Sequence, residues 1–305
     1  MKKTIITAIL IVLVFTGKAC DICGCGVGSY YIGILPEFSK KIIGMRYRHN
    51  FLRTHIGVGG ATTYLTTREN YSLAELWGAW NIGKKFRVMM NLPYNFNEKS
   101  THTTSSNKNG IGDVSLSAYY RMINKTGSLG NKRLVQSLFV GAGIKLPTGK
   151  YNPVDKQGTN QNTNQFQLGT GSVDYSTSLV YDIRVQDVGL NLNANYKFNG
   201  TNKYHYSYGN KLSINTQLYY KWRIKNKFTV SPNIGVLYEN AAKDNDTGFK
   251  VDVSGGTILC GGAGIEMGYK RIGAGANFQT PISQDLANGF VKAGNRFMVH
   301  IAYSF

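Results

Sequence analysis

Residues 20–26 read CDICGCG, which places Cys20, Cys23 and Cys25 within a few positions of one another, with Asp21 beside them and glycines that let a backbone wrap a small ion. Thiolates at this spacing suit soft or borderline ions, Cu(I) or Zn(II), and three ligands leave a coordination position open for transfer or sensing. Two other chemistries compete for the same thiols. In an oxidising compartment two of the three can pair as a disulfide, although the spacing of Cys23 and Cys25 strains a direct bridge. Lipidation would consume Cys20, against which Gly17 stands where such signals usually carry Leu.

The segment before the cysteines decides the compartment. Lys2 and Lys3 precede the apolar run TIITAILIVLVF and then GKA, the pattern of a secretory signal peptide with cleavage expected after Ala19. That run is too short for a comfortable transmembrane helix. The mature chain is therefore expected to begin near Cys20, outside the reducing cytoplasm. The sequence divides into a signal at 1–19, a Cys-rich segment at 20–39 that serves as a plug or a periplasmic arm, and the folded body at 40–305.

The body alternates polar and apolar residues with period two. In FMVHIAYSF, Phe297, Val299, Ile301, Tyr303 and Phe305 share one face, and Met298, His300, Ala302 and Ser304 share the other. KLSINTQLYYKW and LNLNANYKF repeat the pattern, the latter with Asn191, Asn193 and Asn195 together on a face that suits a water-filled lumen better than a soluble core. Twelve such segments occur, near 40–52, 70–82, 86–96, 111–123, 134–147, 171–183, 188–199, 209–222, 228–240, 257–270, 272–283 and 294–305. Each is long enough to cross a bilayer at a tilt, which takes about 9 to 11 residues. Long polar connections such as NEKSTHTTSSNKNG and 148–170 follow odd segments, and short ones such as GKK and KR follow even segments.

These features predict an all-β fold, a transmembrane antiparallel up-and-down β-barrel of about twelve strands with a short N-terminal periplasmic or plug segment, in the outer membrane of a Gram-negative bacterium. A secreted β-sandwich also alternates. Strand number and length argue for the barrel, as do aromatics near strand ends (Trp80, Phe86, Phe96, Trp222, Phe228, Tyr238, Tyr269) and the final Phe305, read as an assembly signal. The implied partners are outer-membrane lipid and the barrel-assembly machinery, which would take up the C-terminal strand. The composition agrees, with 36 Gly, 20 Tyr, 17% charged residues and a mean hydropathy of −0.23, too polar for a helical membrane protein. The formal charge of +19 becomes +16 once Lys2, Lys3 and Lys18 leave with the signal, and export argues against nucleic acid as the partner.

GIGDVSLSAYY (110–120) and GAGIKLPTGKYNP (141–153), with NLPYNF before them, resemble the outer-membrane channel family named for the MetA pathway of phenol degradation. The resemblance covers most of the barrel, about residues 40–305, and implies a channel-like or transporter-like barrel; a small solute moved without catalysis is what the residues themselves suggest. CDICGCG is not part of that pattern, so a link to a soft metal ion would be an addition of this chain.

With the oily faces toward lipid, the lumen is expected to carry Arg46, Arg48, Glu75, Arg87, Asn91, Asp113, Arg121, Lys145, Asp174, Asp182, Lys197, Lys221, Asn233, Glu239, Glu266, Asn277, Gln279 and His300. Mixed charges of this kind either line a narrow polar pathway or form cross-lumen ion pairs that rigidify a nearly closed barrel. Cys260 falls on the lumen face near the long-loop end. The short turns carry Lys84, Lys85, Lys125, Lys132, Arg133, Arg184, Arg223, Lys225, Lys227, Lys270 and Arg271 against Asp187 alone. Such a rim suits anionic headgroups, an anionic solute or an acidic periplasmic partner, so a structural or partner-docking barrel that transports nothing is the alternative. His205 and Ser207 in HYSYGN bear a faint likeness to the dyad of an outer-membrane phospholipase, but their parity faces the lumen. GAGIKLPTGK has five residues between Gly143 and Gly149 where a phosphate loop has four.

If the cysteines hold a metal, elemental analysis of the reduced mature protein will find Cu or Zn that is lost in a Cys23→Ser, Cys25→Ser variant. Metal-free wild type excludes this chemistry, and the mass of the N-terminus separates lipid from disulfide.

Overall fold

The structure, a computed structural model, describes residues 41–57, 60–156, 164–225 and 227–305; CDICGCG and the rest of 1–40 lie outside them. Twelve antiparallel strands follow one another around a closed ring. They are β1 (Ile42–Thr54), β2 (Thr67–Ile82), β3 (Phe86–Ser100), β4 (Ser105–Ile111 continued by Ser115–Leu129), β5 (Lys132–Lys145), β6 (Asp174–Val185), β7 (Val188–Phe198), β8 (Lys211–Tyr220 continued by Trp222–Ile224), β9 (Phe228–Ala241), β10 (Gly256–Tyr269), β11 (Ile272–Leu286) and β12 (Lys292–Ser304). Each strand pairs with its sequence neighbours, and β1 with β12 closes the ring in register from Ile42↔Ser304 to Arg53↔Lys292. Closure leaves no free edge, which a sheet in hydrocarbon requires because no water is there to satisfy unpaired N–H and C=O groups.

Alternation sorts the side chains as the sequence implies. Ile43, Met45, Leu76, Met90, Leu116, Leu218, Ile234, Ile265 and Val299 point outward and are exposed, whereas Arg46, Glu75, Asn91, Ser115, Gln217, Asn233 and Glu266 point inward and are buried. An apolar exterior over a polar interior inverts a soluble protein and fits a lipid surround. Exposed Trp80, Phe86, Tyr120, Trp222, Tyr269, Tyr303 and Phe305 gather at the short-turn ends of their strands, where amphipathic rings sit at a membrane interface.

The structure corrects the sequence reading in three places. NEKSTHTTSSNKNG is not a long loop: β3 runs to Ser100 and β4 starts at Ser105, paired from Tyr94↔Ile111 to Ser100↔Ser105, with only Thr101–Thr104 turning. Polar residues on both faces hid this hairpin. The β4 ladder is interrupted at 112–114, where Thr148 Oγ1 donates to the Gly112 carbonyl at 2.8 Å and accepts from the Val114 N–H at 2.9 Å. Finally, His205 and Ser207 are not on the wall of the barrel. His205 sits in a turn at φ 58° and Ser207 in a short strand, Tyr206–Ser207, that pairs with Asn245–Asp246 above the long-loop end.

The interior is not uniformly polar. Toward the short-turn end, Ile42, Trp77, Ala79, Met89, Tyr119, Phe139, Val180 and Ala302 form one buried apolar cluster. At the long-loop end, Leu52, Tyr71, Leu237, Val253, Ile258, Cys260, Leu286, Val291 and Phe166 belong to a second. Cys260 is thus an inward packing residue in β10, as its parity implies. Trp77 lies flat on Gly44, where an added Cβ would meet the indole at 2.9 Å and the Ile301 carbonyl oxygen at 2.7 Å, and the Arg46 guanidinium stands 5.5 Å from its ring centroid. A Gly44→Val variant should lose about 1–3 kcal/mol of stability by overpacking and change the near-UV signal of Trp77, measured by urea unfolding and circular dichroism.

Candidate lumen site

Three groups of charges are built where inward positions of neighbouring strands meet. In the first, Lys145 at the end of β5 lies 2.5 Å from Asp113 and 2.8 Å from Asp174, and Lys197 of β7 reaches the same Asp174 oxygen at 2.9 Å. Asp113 is turned inward by the break in β4 and also accepts from the N–H groups of Gly149 and Thr170, both at 2.9 Å. In the second group, fully buried Glu239 of β9 takes Lys211 at 2.9 Å on one oxygen and Arg296 at 2.7 Å on the other. The third follows one ladder row across six strands, Ser231↔Glu266↔Gly275↔His300↔Arg46↔Glu75. Here Arg46 pairs with Glu75 at 2.9 Å, and His300 Nε2 lies 3.2 Å from Glu266. Gly275 provides the room, since a Cβ there would meet the Glu266 carboxylate at 2.5 Å.

The remaining expected lumen residues are more dispersed. Arg48 approaches Glu75 at 3.9 Å, and Arg87 is buried at the short-turn end. Asp182 accepts from Tyr219 at 3.1 Å and from Asn191 at 3.3 Å. Lys221 sits in the break of β8, its N–H on the Asp187 carbonyl. Arg121 is at the rim, where its guanidinium binds the Lys84 carbonyl of the adjacent turn. Arg296 and the Glu69–Lys99 pair, 3.6 Å apart, lie outside the residues the sequence pattern marks; Arg296 shares the parity of His300, a signal that points to it, whereas Glu69 precedes the alternating segment at 70–82. Among the described residues no three His, Cys, Asp or Glu side chains come together as a metal site.

Between these groups the inward positions of β7–β9 are uncharged. Asn191, Asn193 and Asn195 of β7 stand in register with Gln217, Asn215 and Ser213 of β8, and Ser231 and Asn233 of β9 continue the surface. Glycines fill the inward positions nearby. A Cβ on Gly235 would meet Gln217 Cγ at 2.8 Å, and one on Gly264 would meet Asn233 Oδ1 at 2.8 Å and Asn277 Nδ2 at 2.7 Å, so these amides lie flat against the wall.

A segment no periodicity could disclose crosses the long-loop mouth. Between β5 and β6, Asn164, Gln165, Phe166, Gln167, Thr170 and Ser172 are buried. The carbonyls of Leu168 and Gln167 accept from Asn95 at 3.0 Å and Asn97 at 3.2 Å on β3, and Lys108 of β4 donates to Phe166 at 2.6 Å. The Phe166 ring meanwhile joins the apolar cluster built by β1, β2 and β9–β12 on the far side. Only the isolated Phe in a polar stretch hinted at this.

Replacing Glu239 with Gln removes the fully buried carboxylate that buried Lys211 and half-buried Arg296 share, and losing one partner of a buried ion pair costs about 3–5 kcal/mol. Glu239→Gln should therefore lower the urea midpoint well beyond the effect of an exposed Arg223→Gln control, whose partner Asp187 is also exposed to solvent.

No curated protein sequence matches the chain. Among solved structures it is similar to the COG4313 outer membrane channel from Pseudomonas putida F1, with 13% identity, a TM-score of 0.62, and coverage of 92% of this chain and 100% of that one. It also aligns with the beta domain of the Bordetella autotransporter BrkA, at 11% identity and a TM-score of 0.48 over 87% of this chain and all of that one. The NanC porin aligns at 9% identity and a TM-score of 0.43 over 86% of this chain and all of that one. The first likeness supports the closed outer-membrane barrel, whose long loops by the rule for such barrels face the exterior and whose short turns face the periplasm. Residues 53–280 match the family described as "Putative MetA-pathway of phenol degradation", and the chain, an outer-membrane β-barrel of a Gram-negative bacterium, belongs to that family.

Proposed function

We propose that the barrel is a channel for a small solute, with its bore set at the outer mouth by residues 164–172 and its wall held in shape by the lumen ion pairs. The observation that carries this reading is the anchoring of that segment from both sides, by amides and a lysine on β3–β4 and by the seat of Phe166 against β1, β2 and β9–β12. A segment tied across a lumen narrows it without sealing it by backbone pairing, and side chains of mixed charge below it can strip and replace a solute's hydration. A soft metal ion at Cys20, Cys23 and Cys25 would add a capture step at the periplasmic side and is tested by the elemental analysis above.

A docking role is the second reading, supported by the exposed basic turns Lys84, Lys85, Lys225, Lys227, Lys270 and Arg271. Planar bilayer recording separates the two. The channel reading expects discrete openings in wild type and larger ones in an Asn95→Ala, Asn97→Ala, Lys108→Met variant that frees the crossing segment. A silent bilayer, with a periplasmic protein retained by wild type and released when the basic turns are neutralised, would favour docking instead.

A further inference from the structure

We infer that the uncharged wall of β7–β9 is a binding surface for a neutral, hydroxyl-rich small molecule. This inference rests on the channel reading and names the class of solute that its lumen holds. Four inward groups there are buried yet have an atom with no hydrogen-bonding partner among the described residues: Ser213 Oγ, Gln217 Oε1, Ser231 Oγ and Asn233 Oδ1. Leaving a buried polar atom unsatisfied is unfavourable, so four on adjacent strands mark a surface arranged to meet a ligand or its water. Two of these atoms are amide oxygens, which accept only, and two are hydroxyls, which donate or accept.

That set discriminates among solutes. A carboxylate or phosphate brings acceptors alone and would face two amide oxygens with nothing to donate. An ammonium brings donors but also a charge, and the lumen carboxylates nearest the wall each already have partners, Glu239 in Lys211 and Arg296, Asp182 in Tyr219 and Asn191, and Glu266, through one oxygen, in His300. A neutral polyol donates and accepts at every hydroxyl and requires no counter-charge. Gly235 and Gly264 keep the amides flat, so the wall offers hydrogen bonds without obstructing the bore. Ser213 stands in register with Glu239 and Ser231 with Glu266, so the wall's hydroxyls lie beside carboxylates that Lys211, Arg296 and His300 engage.

The test uses the full-length protein with myo-inositol as probe and cyclohexanol, the same ring with a single hydroxyl, and gluconate as comparators. Saturation-transfer NMR on detergent-solubilised protein should show a signal for inositol and little for the other two. In Gln217→Leu, Asn233→Leu the inositol affinity should fall on the order of tenfold or more, from two lost neutral hydrogen bonds. Proteoliposome swelling in inositol should slow in parallel, while ionic conductance stays at the wild-type level. Should the double variant fail to fold, Ser213→Ala, Ser231→Ala replaces it with the same expectation. Inositol that gives no signal, or one unchanged by the variants, overturns the inference even if the barrel conducts ions. A barrel that binds inositol through these residues yet neither conducts nor swells overturns the channel reading and leaves the binding surface standing.

Discussion

Hydrocarbon offers no hydrogen bonds, and that single condition sets the rest of this structure. Each strand needs a partner on both edges, so the sheet closes, with β1 on β12 and β8 on β9 completing the ring. Closure fixes two faces. The outer one carries Ile, Leu, Met and aromatic side chains into lipid; the inner one inherits every polar residue that alternation sends the other way. Charges gathered in so narrow a space are costly unless compensated, which is why Asp174 is shared by two lysines and Glu239 by a lysine and an arginine.

The compensation is uneven around the ring, and the proposed function rests on that unevenness. Carboxylates and cations meet where β4–β7 open outward, where β8, β9 and β12 converge, and along the row through His300, Arg46 and Glu75. Between these groups lies a band of amides and hydroxyls backed by glycine. Ion pairs hold the wall; on the proposed reading the amide oxygens of Gln217 and Asn233, without a hydrogen-bonding partner among the described residues, meet the solute. The mouth-crossing segment belongs to the same scheme, since its backbone carbonyls are taken up by Asn95, Asn97 and Lys108, so that only Phe166 enters the apolar cluster.

Much of the fold was legible in the sequence because a strand with lipid on one side and lumen on the other writes its period into every second residue. All twelve strands were recoverable this way; Lys145, Glu239 and His300 take part in ion pairs inside the barrel. Where neither face was apolar, the signal failed. The β3–β4 hairpin beyond Phe96 is polar on both sides because it rises clear of the hydrocarbon, so it read as loop. The inner apolar clusters were missed for the opposite reason: Trp77, Met89, Phe139 and Val180 sit at inward positions where polar residues were expected, and hydrophobicity alone cannot tell an inner from an outer face. Pairing was invisible too. That Lys145 reaches both Asp113 and Asp174 depends on the break at 112–114, which no local pattern announces.

The central claim is that the lumen's charges are paired among themselves and leave a neutral surface for the solute. The reversal potential in a planar bilayer under a potassium chloride gradient, recorded with the basic short turns neutralised so that only the lumen sets selectivity, tests it most directly. Paired lumen charges predict a value near zero, with little preference between cation and anion; a strong preference for either in that variant would contradict the account.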